Sequence, residues 1–130
     1  MDSIQLLTRR GATCSDLLSC LYNLKPIDIE VFLKVARNEN ATLTEIAELV
    51  NRDRSSTHRC LSKLVSAGLV HKKSKTLKGG GYYHVYNMAE PFKIKEYARK
   101  RVKEITESLA SLIENFESDL KKHLEKNNSF

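Results

Sequence analysis

The sequence lacks the short motifs that usually identify an enzyme or a metal site. Its three cysteines, Cys14, Cys20 and Cys60, form no CxxC pair, and no cysteine and histidine cluster has the spacing of a zinc finger. It contains no nucleophile elbow, no phosphate-binding glycine loop and no clustered carboxylates, and its 4 histidines are scattered. These absences argue against an enzyme and predict a protein without a metal or another cofactor. Redox activity of a cysteine stays open.

Long hydrophobic runs are also missing. No window approaches the roughly 18 consecutive apolar residues of a membrane span, and residues 1–14 lack the layout of a signal peptide. With 130 residues, 41% hydrophobic and 29% charged, the composition is ordinary for a chain with one small core. We therefore expect a cytoplasmic protein with no membrane partner.

What the sequence does contain is a local excess of positive charge. Residues 52–78 hold eight lysines and arginines against a single acid, Asp53, whereas the whole chain carries a net charge of +6. A basic excess confined to one segment is typical of a surface that binds a polyanion. The alternative is a charged face that only interacts with solvent. The segment indicates a nucleic acid as partner, and hence association with the nucleoid.

Two helices are predicted before this basic segment. Apolar spacing predicts a helix over residues 15–24 with Ser15 as its cap, and a second over residues 27–37 with Pro26 in its first turn. The second helix has a set of expected core-facing side chains: Ile29, Phe32, Leu33, Val35 and Ala36.

A third helix is predicted to begin near Thr44 and to end at Val50. Thr42 and Glu45 have the spacing of a capping box, and Thr44 is a competing cap. Asn51 follows the helix, and asparagine tolerates a left-handed turn better than other residues with a side chain. The pattern therefore predicts a tight turn directly after this helix.

A fourth helix is predicted over residues 54–67, capped by Asp53 and ended by Gly68. Helix, tight turn and helix form a helix-turn-helix, whose second helix enters the DNA major groove. Seven polar residues are expected on the outer face of this recognition helix: Arg54, Ser55, Ser56, His58, Arg59, Ser62 and Lys63. Arg59 suits a bidentate contact to guanine, and the first-turn residues suit phosphate.

A β-hairpin is predicted after Gly68, over residues 69–77 and 82–87 with a triple-glycine turn. One face of the second strand is expected to pack against the protein and the other to reach out. Four lysines of this wing are expected to contact the DNA backbone or minor groove: Lys72, Lys73, Lys75 and Lys78.

The last element predicted is one long helix from Pro91 to about Leu124, a stretch without internal proline or glycine. Five apolar residues step along it by alternating intervals of three and four: Val102, Ile105, Leu109, Leu112 and Phe116. A coiled coil with a second chain would bury this stripe; folding back over its own domain is the alternative. Six basic residues at the start of the helix either extend the DNA contact or keep it soluble: Lys93, Lys95, Arg99, Lys100, Arg101 and Lys103.

The motifs TxxEIA, starting at Thr42, and RSSxxRxLxxLxxxGLV, starting at Arg54, resemble the winged helix-turn-helix of TrmB-like and MarR-like transcriptional regulators of archaea and bacteria. The resemblance covers about half of the chain. It implies a mainly α fold with a small β-hairpin wing, a DNA-binding domain over residues 1–90 and a dimerisation helix over residues 91–130. Such regulators are typically dimers.

Three features depart from the family pattern. Arg52 occupies a turn position that is commonly apolar, and Thr57 replaces a usual aliphatic residue, which suggests a slightly different turn. The chain ends at Phe130, which leaves no room for the sugar-binding domain of full-length TrmB-type regulators. Sensing by that route is therefore not implied.

The sequence thus favours a sequence-specific regulator that binds double-stranded DNA as a homodimer. The runner-up is a winged-helix module that binds another protein and holds DNA weakly and without specificity. A small-molecule effector stays open, as do the operator and the direction of regulation.

Overall fold

The computed structural model describes residues 2–126, which form seven helices and one two-stranded hairpin. In chain order the elements are α1 (Ser3–Thr8), α2 (Cys14–Tyr22), α3 (Pro26–Arg37), α4 (Leu43–Val50), α5 (Arg54–Ser66), β1 (Val70–Thr76), β2 (Tyr82–Met88), α6 (Pro91–Glu114) and α7 (Phe116–Glu125). The mainly α fold with a small hairpin is the one that the sequence predicts. The chain divides into two compact units, Met1–Tyr97 and Ala98–Phe130.

The N-terminal helices differ in detail from the prediction. Helix α1 was not predicted, although Asp2 and Gln5 form a capping box. In this box the backbone amide of Gln5 donates to Asp2 Oδ1 at 2.8 Å. Helix α2 is capped by Thr13, so the assignment of the cap to Ser15 is wrong. It ends at Tyr22, two residues before the predicted end, because Asn23 adopts a left-handed conformation with φ of 54°.

Helix α3 begins at Pro26 and buries one side against the core. Val31, Phe32 and Val35 are buried, whereas Ala36 is exposed, contrary to the prediction. Ala36 follows Val35 by about 100° around the helix, which turns it away from the buried side. Asp28 is also buried, with 4% of its surface exposed.

The helix-turn-helix follows its predicted signals closely. The Glu45 amide donates to Thr42 Oγ1 at 3.2 Å, which selects Thr42 over Thr44 as the cap of α4. Asn51 is left-handed with φ of 54°, as expected of the tight turn. The Ser56 amide donates to Asp53 Oδ1 at 3.1 Å and caps α5.

Gly68 separates α5 from the hairpin. Its φ is +79°, a conformation that residues with a side chain rarely adopt. A Cβ atom here would also lie 3.3 Å from the ring of Tyr97. The Leu69 amide bonds back to the Leu64 carbonyl at 3.0 Å, which closes the end of the helix and turns the chain into β1.

Strands β1 and β2 are antiparallel, with Val70 opposite Met88 and Thr76 opposite Tyr82. The Tyr86 amide donates to the Ala41 carbonyl at 2.8 Å, so the segment before α4 joins the hairpin through a single antiparallel β-bridge. The expectation of one packed face along β2 is wrong. Val85 and Tyr86 point to opposite faces of the strand, yet both are buried. Burial along β2 therefore depends on how far each residue lies from the helices and not on which face it occupies.

One hydrophobic core holds helices α2 to α5 and the base of the hairpin together. Its largest fully buried aliphatic side chains come from α3, α4, α5, the turn after α5 and β1: Val31, Val35, Ile46, Leu61, Leu64, Leu69 and Val70. Because Leu61 and Leu64 both belong to α5, the core decides which side of that helix meets solvent.

The predicted long C-terminal helix is present, with one local interruption at Asn115. Asn115 separates α6 from α7 with φ of −97° and ψ of 7°. Its side-chain Nδ2 donates to the Ser111 carbonyl at 3.0 Å, the local kind of bond by which asparagine competes with a regular helix. Among residues 2–126, no helix is both long and apolar enough to cross a membrane.

Candidate nucleic-acid interface

The outer side of α5 carries most of the residues predicted to contact DNA. Burial of Thr57, Cys60, Leu61 and Leu64 fixes the orientation of the helix. On the opposite side lie five exposed polar residues and one half-buried serine: Arg54, Ser55, His58, Arg59, Ser62 and Ser56. The structure therefore brings these six predicted residues together on one helix.

The first turns of α5 are organised by hydrogen bonds between neighbouring residues. Arg59 Nη2 donates to Ser56 Oγ at 3.3 Å, which places the guanidinium over the N-terminal half of the helix. Hydrogen bonds from Ser56, and to a lesser extent the charge of Arg59, lower the pKa of the Asp53 carboxyl. The capping carboxylate is therefore ionised at neutral pH, where it accepts from the helix amide.

Thr57 is 1% exposed although it is polar. Its hydroxyl donates to the Asp53 carbonyl at 2.8 Å, and the Thr57 amide also bonds to this carbonyl at 3.1 Å. A threonine can thus stand where an aliphatic residue is common, because its hydroxyl finds a partner within its own helix.

Lys63 is placed differently from the other six predicted residues. Its ammonium lies 3.0 Å from Asp28 Oδ2 and 2.7 Å from the Asn23 carbonyl oxygen. The side chain therefore bonds to the protein itself, at the junction of α2 and α3. Asp28, the partner in this ion pair, was missed by sequence reasoning, because nothing in the local pattern indicates that a carboxylate near a helix start is buried.

Asp28 and Cys60 perturb each other beneath α5. Burial opposes ionisation of Asp28, but hydrogen bonds from the Lys25 amide, Lys63 and the Cys60 thiol outweigh it and lower the pKa of the carboxyl. Burial, reinforced by Asp28, raises the pKa of the Cys60 thiol to about 11. The Cys60 sulfur therefore stays protonated at neutral pH and lies in the hydrophobic core.

Two open grooves flank α5. One, of about 610 Å³, lies between α5 and the wing and is lined in part by Arg54, His58, Lys72 and His84. The other, of about 430 Å³, lies between α5 and the start of α3. Four basic side chains line it together with Asp28: Lys25, Arg52, Arg59 and Lys63. Positive charge thus lies on both sides of the helix.

The wing carries its lysines away from the core. Lys72, Lys73 and Lys78 are exposed and Lys75 is half-buried. The three tip glycines have φ values of 87°, 109° and 84°, so a side chain at any of them would be strained. The tip can therefore turn tightly with little bulk.

A reciprocal pair of asparagines holds the base of the wing. The backbone amide of Asn40 donates to Asn87 Oδ1 at 2.8 Å, and Asn87 Nδ2 donates to Asn40 Oδ1 at 2.9 Å. These bonds lie beside the one between the Tyr86 amide and the Ala41 carbonyl. Together they tie the wing to the loop that precedes the helix-turn-helix.

The apolar stripe of the C-terminal unit is exposed in the single chain. The exposed fraction is 40% for Val102, 37% for Ile105, 58% for Leu109, 66% for Leu112 and 58% for Phe116. A row of large apolar side chains open to water is typical of an interaction surface. Within residues 2–126, no group of three or more histidines, cysteines or acids could hold a metal ion.

A helix-turn-helix followed by an antiparallel hairpin defines the winged helix-turn-helix class of proteins. A family model described as the sugar-specific transcriptional regulator TrmB matches residues 18–92, which cover the core, the recognition helix and the wing. The chain belongs to the TrmB family of transcriptional regulators. The resemblance read from the sequence motifs is thereby confirmed, and this family is not an enzyme family.

The chain is also similar to an archaeal relative and to solved structures. The chain is 35% identical over 116 residues to the uncharacterized protein MJ1503 of Methanocaldococcus jannaschii, covering 87% of each chain. A "possible transcriptional regulator" from Methanosarcina mazei Go1 has a TM-score of 0.72 at 19% identity, over 84% of this chain and 95% of that chain. The protein ST1889 of Sulfolobus tokodaii has a TM-score of 0.59 at 21% identity, over 81% and 98%. At these identities the two structures show a shared fold.

Proposed function

We propose that the protein is a sequence-specific, double-stranded-DNA-binding regulator that acts as a homodimer. The observation that carries this proposal is the outer side of α5, where arginine, histidine and serine side chains lie together between two basic grooves. The 13 residues of α5 make a rod about 20 Å long, and the major groove, about 12 Å wide, admits one such helix.

Arg59 is the residue that we assign to base reading. It is exposed, and its contact with Ser56 directs it along the outer side of the helix. A guanidinium can make two parallel hydrogen bonds to guanine, a pattern that other bases do not offer. Arg54, Ser55 and Ser56 lie at the helix N-terminus, where hydroxyls and free amides favour a phosphate.

The wing supplies contacts that do not depend on sequence. Lys72, Lys73, Lys75 and Lys78 place ammonium groups along one hairpin with a glycine tip. An ammonium that neutralises a phosphate releases a counterion whatever the base. The wing therefore contributes affinity and salt dependence.

The exposed stripe supports a dimer. If α6 and the start of α7 pair with their copies in a second chain, the apolar side chains from Val102 to Phe116 leave water. A two-fold dimer presents two recognition helices to half-sites about 34 to 36 Å apart, which predicts a pseudo-palindromic operator.

The experiment starts by selecting duplexes with the full chain from a random 24-base-pair library. Affinity for the selected duplex and for a scrambled one is then measured across salt concentrations. Arg59→Ala should weaken preference at one base position of each half-site by about 5- to 150-fold. Lys73→Ala should weaken both duplexes alike and reduce the salt slope by about 0.9 per protomer, about 1.8 for the dimer.

Lys121→Ala is the matched control, since Lys121 is exposed on α7, outside the proposed surface. Unchanged base preference in Arg59→Ala would show that the recognition face is wrong. Weak binding that is equal for both duplexes would favour the alternative, a winged-helix module whose main partner is a protein.

A further inference from the structure

The ion pair beneath the recognition helix joins three elements at one point. Asp28 Oδ2 accepts from the Lys25 amide at 2.8 Å and from Lys63 Nζ at 3.0 Å. Lys63 Nζ also donates to the carbonyl of Asn23 at 2.7 Å. Asn23 ends α2, Asp28 lies in the first turn of α3, and Lys63 belongs to α5.

The two charges differ in how far they reach water. The side chain of Asp28 is 6% exposed and that of Lys63 is 36% exposed. A carboxylate this buried depends on its hydrogen-bond donors, and Lys63 is the one that carries a charge. The ammonium has three donors, and two of them already bond to the protein.

We propose that Lys63 and Asp28 are positioning residues for DNA recognition: their bridge sets the rotation of α5 about its own axis, and Lys63 itself does not contact DNA. This inference rests on the proposed function and assigns to Lys63 a role different from the one that its charge suggests in the sequence.

The geometry of a helix explains why such a bridge matters. Lys63 lies one turn beyond Arg59 on the same side of α5, and Asp53 caps the other end of the helix. A rotation of about 10° moves atoms about 6 Å from the axis by about 1 Å. The useful range of hydrogen-bond lengths spans only about 0.5 Å. A small rotation would therefore displace Arg59 from a base edge without unfolding the helix.

The bridge also changes which charges remain for phosphate. Asp28 neutralises Lys63, so the groove beside α3 offers Lys25, Arg52 and Arg59 to an anion. Loss of Lys63 should therefore leave the number of phosphate contacts unchanged, whereas loss of a wing lysine should lower it.

The first experiment compares Lys63→Met and Asp28→Asn with Lys73→Met, a matched loss of a wing lysine. Salt slopes are measured on a scrambled 24-base-pair duplex, and preference is the affinity ratio of the selected duplex to the scrambled one. We expect both bridge variants to lose preference by about tenfold or more with an unchanged slope. Lys73→Met should keep its preference and lose about 0.9 per protomer from the slope, about 1.8 for the dimer. Lys63→Arg, which keeps the charge, should restore part of the preference.

Two results would overturn the proposal. One is a salt slope that falls by about 0.9 per protomer in Lys63→Met but not in Asp28→Asn, because Lys63 would then bind phosphate. The other is full retention of sequence preference in both bridge variants. A preference lost in Lys63→Met and retained in Asp28→Asn would equally exclude the bridge as the cause.

The second experiment needs no DNA, so it separates this inference from the proposed function. Each single variant should lower the folding equilibrium constant by about 10- to 100-fold in urea titrations, and the double variant should be no less stable than the singles. Amide exchange in α5 should be faster in each single variant. Additive losses of stability would show that the two residues act independently.

If the wild type bound no duplex, the proposed function would fail, whereas the comparison of single and double variants would still test the bridge. Should Lys63→Met fail to fold, Lys63→Gln, which keeps a donor, replaces it in both experiments.

Discussion

Replacing Leu112 by lysine should dissociate the proposed homodimer. The five stripe side chains from Val102 to Phe116 are 37% to 66% exposed in the single chain, and Leu112 is the most exposed of them. Fully burying such a side chain stabilises by about 1.5 to 3 kcal/mol, so covering the exposed half of each on two chains gives roughly 10 kcal/mol. The loss of translational and rotational freedom on association opposes this gain by at least about 4 kcal/mol. The difference corresponds to a dissociation constant in the micromolar range from the stripe alone.

The variant should weaken the dimer by about 100-fold or more. Two leucines leave the interface, each with about 1.5 kcal/mol of burial, and two ammonium groups would face each other in their place. Glu107→Lys is the matched control, because Glu107 is exposed and lies away from the stripe on the same helix. It introduces the same side chain without touching the apolar surface.

Sedimentation equilibrium over about 1 μM to 1 mM gives both dissociation constants. Wild type and Glu107→Lys should associate within this range, and Leu112→Lys should stay monomeric through most of it. A chain without residues 102–130 should also be monomeric. A wild-type monomer at every concentration, or a Leu112→Lys dimer as tight as the wild type, would refute the role assigned to the stripe.

Three further predictions concern the fold that presents the site. Leu61→Ala, at a side chain with 0% exposure, should lower the free energy of unfolding by about 2 to 5 kcal/mol in urea, whereas the exposed neighbour Ser62→Ala should change it by less than about 0.5 kcal/mol. Asn87→Ala removes both bonds to Asn40, so the Tyr86 amide should exchange faster with solvent; a rate equal to that of the wild type would show that the asparagine pair does not hold the wing. The pKa of Asp28 is lowered in the folded state, so its stabilisation is present above the ordinary value of 3.8 and is lost as pH falls through the lower folded value. Asp28→Asn should therefore be less stable at pH 7 and should lose less stability than the wild type between about pH 5 and pH 1, as measured by urea titrations.

Local signals in the sequence predicted the helix-turn-helix well. Thr42, Asp53 and Asn51 act as the expected caps and turn because each depends on backbone groups within a few residues. The same kind of signal was misread at Ser15, where Thr13 made the better capping box. At Asn115 a local asparagine bond interrupts a helix whose apolar pattern continues past it.

The sequence by itself determined the order of helices and strands from α2 to β2, the family and the location of the basic segment, because periodicity, caps and motifs are properties of neighbouring residues. Only the tertiary structure decided the role of individual polar side chains. Lys63 meets Asp28 across 35 residues, and Asn40 meets Asn87 across 47. Contacts over such distances depend on how the core packs, so only the structure shows that Lys63, which the sequence predicts among DNA-binding residues, pairs with Asp28, the contact to which we assign the positioning of α5.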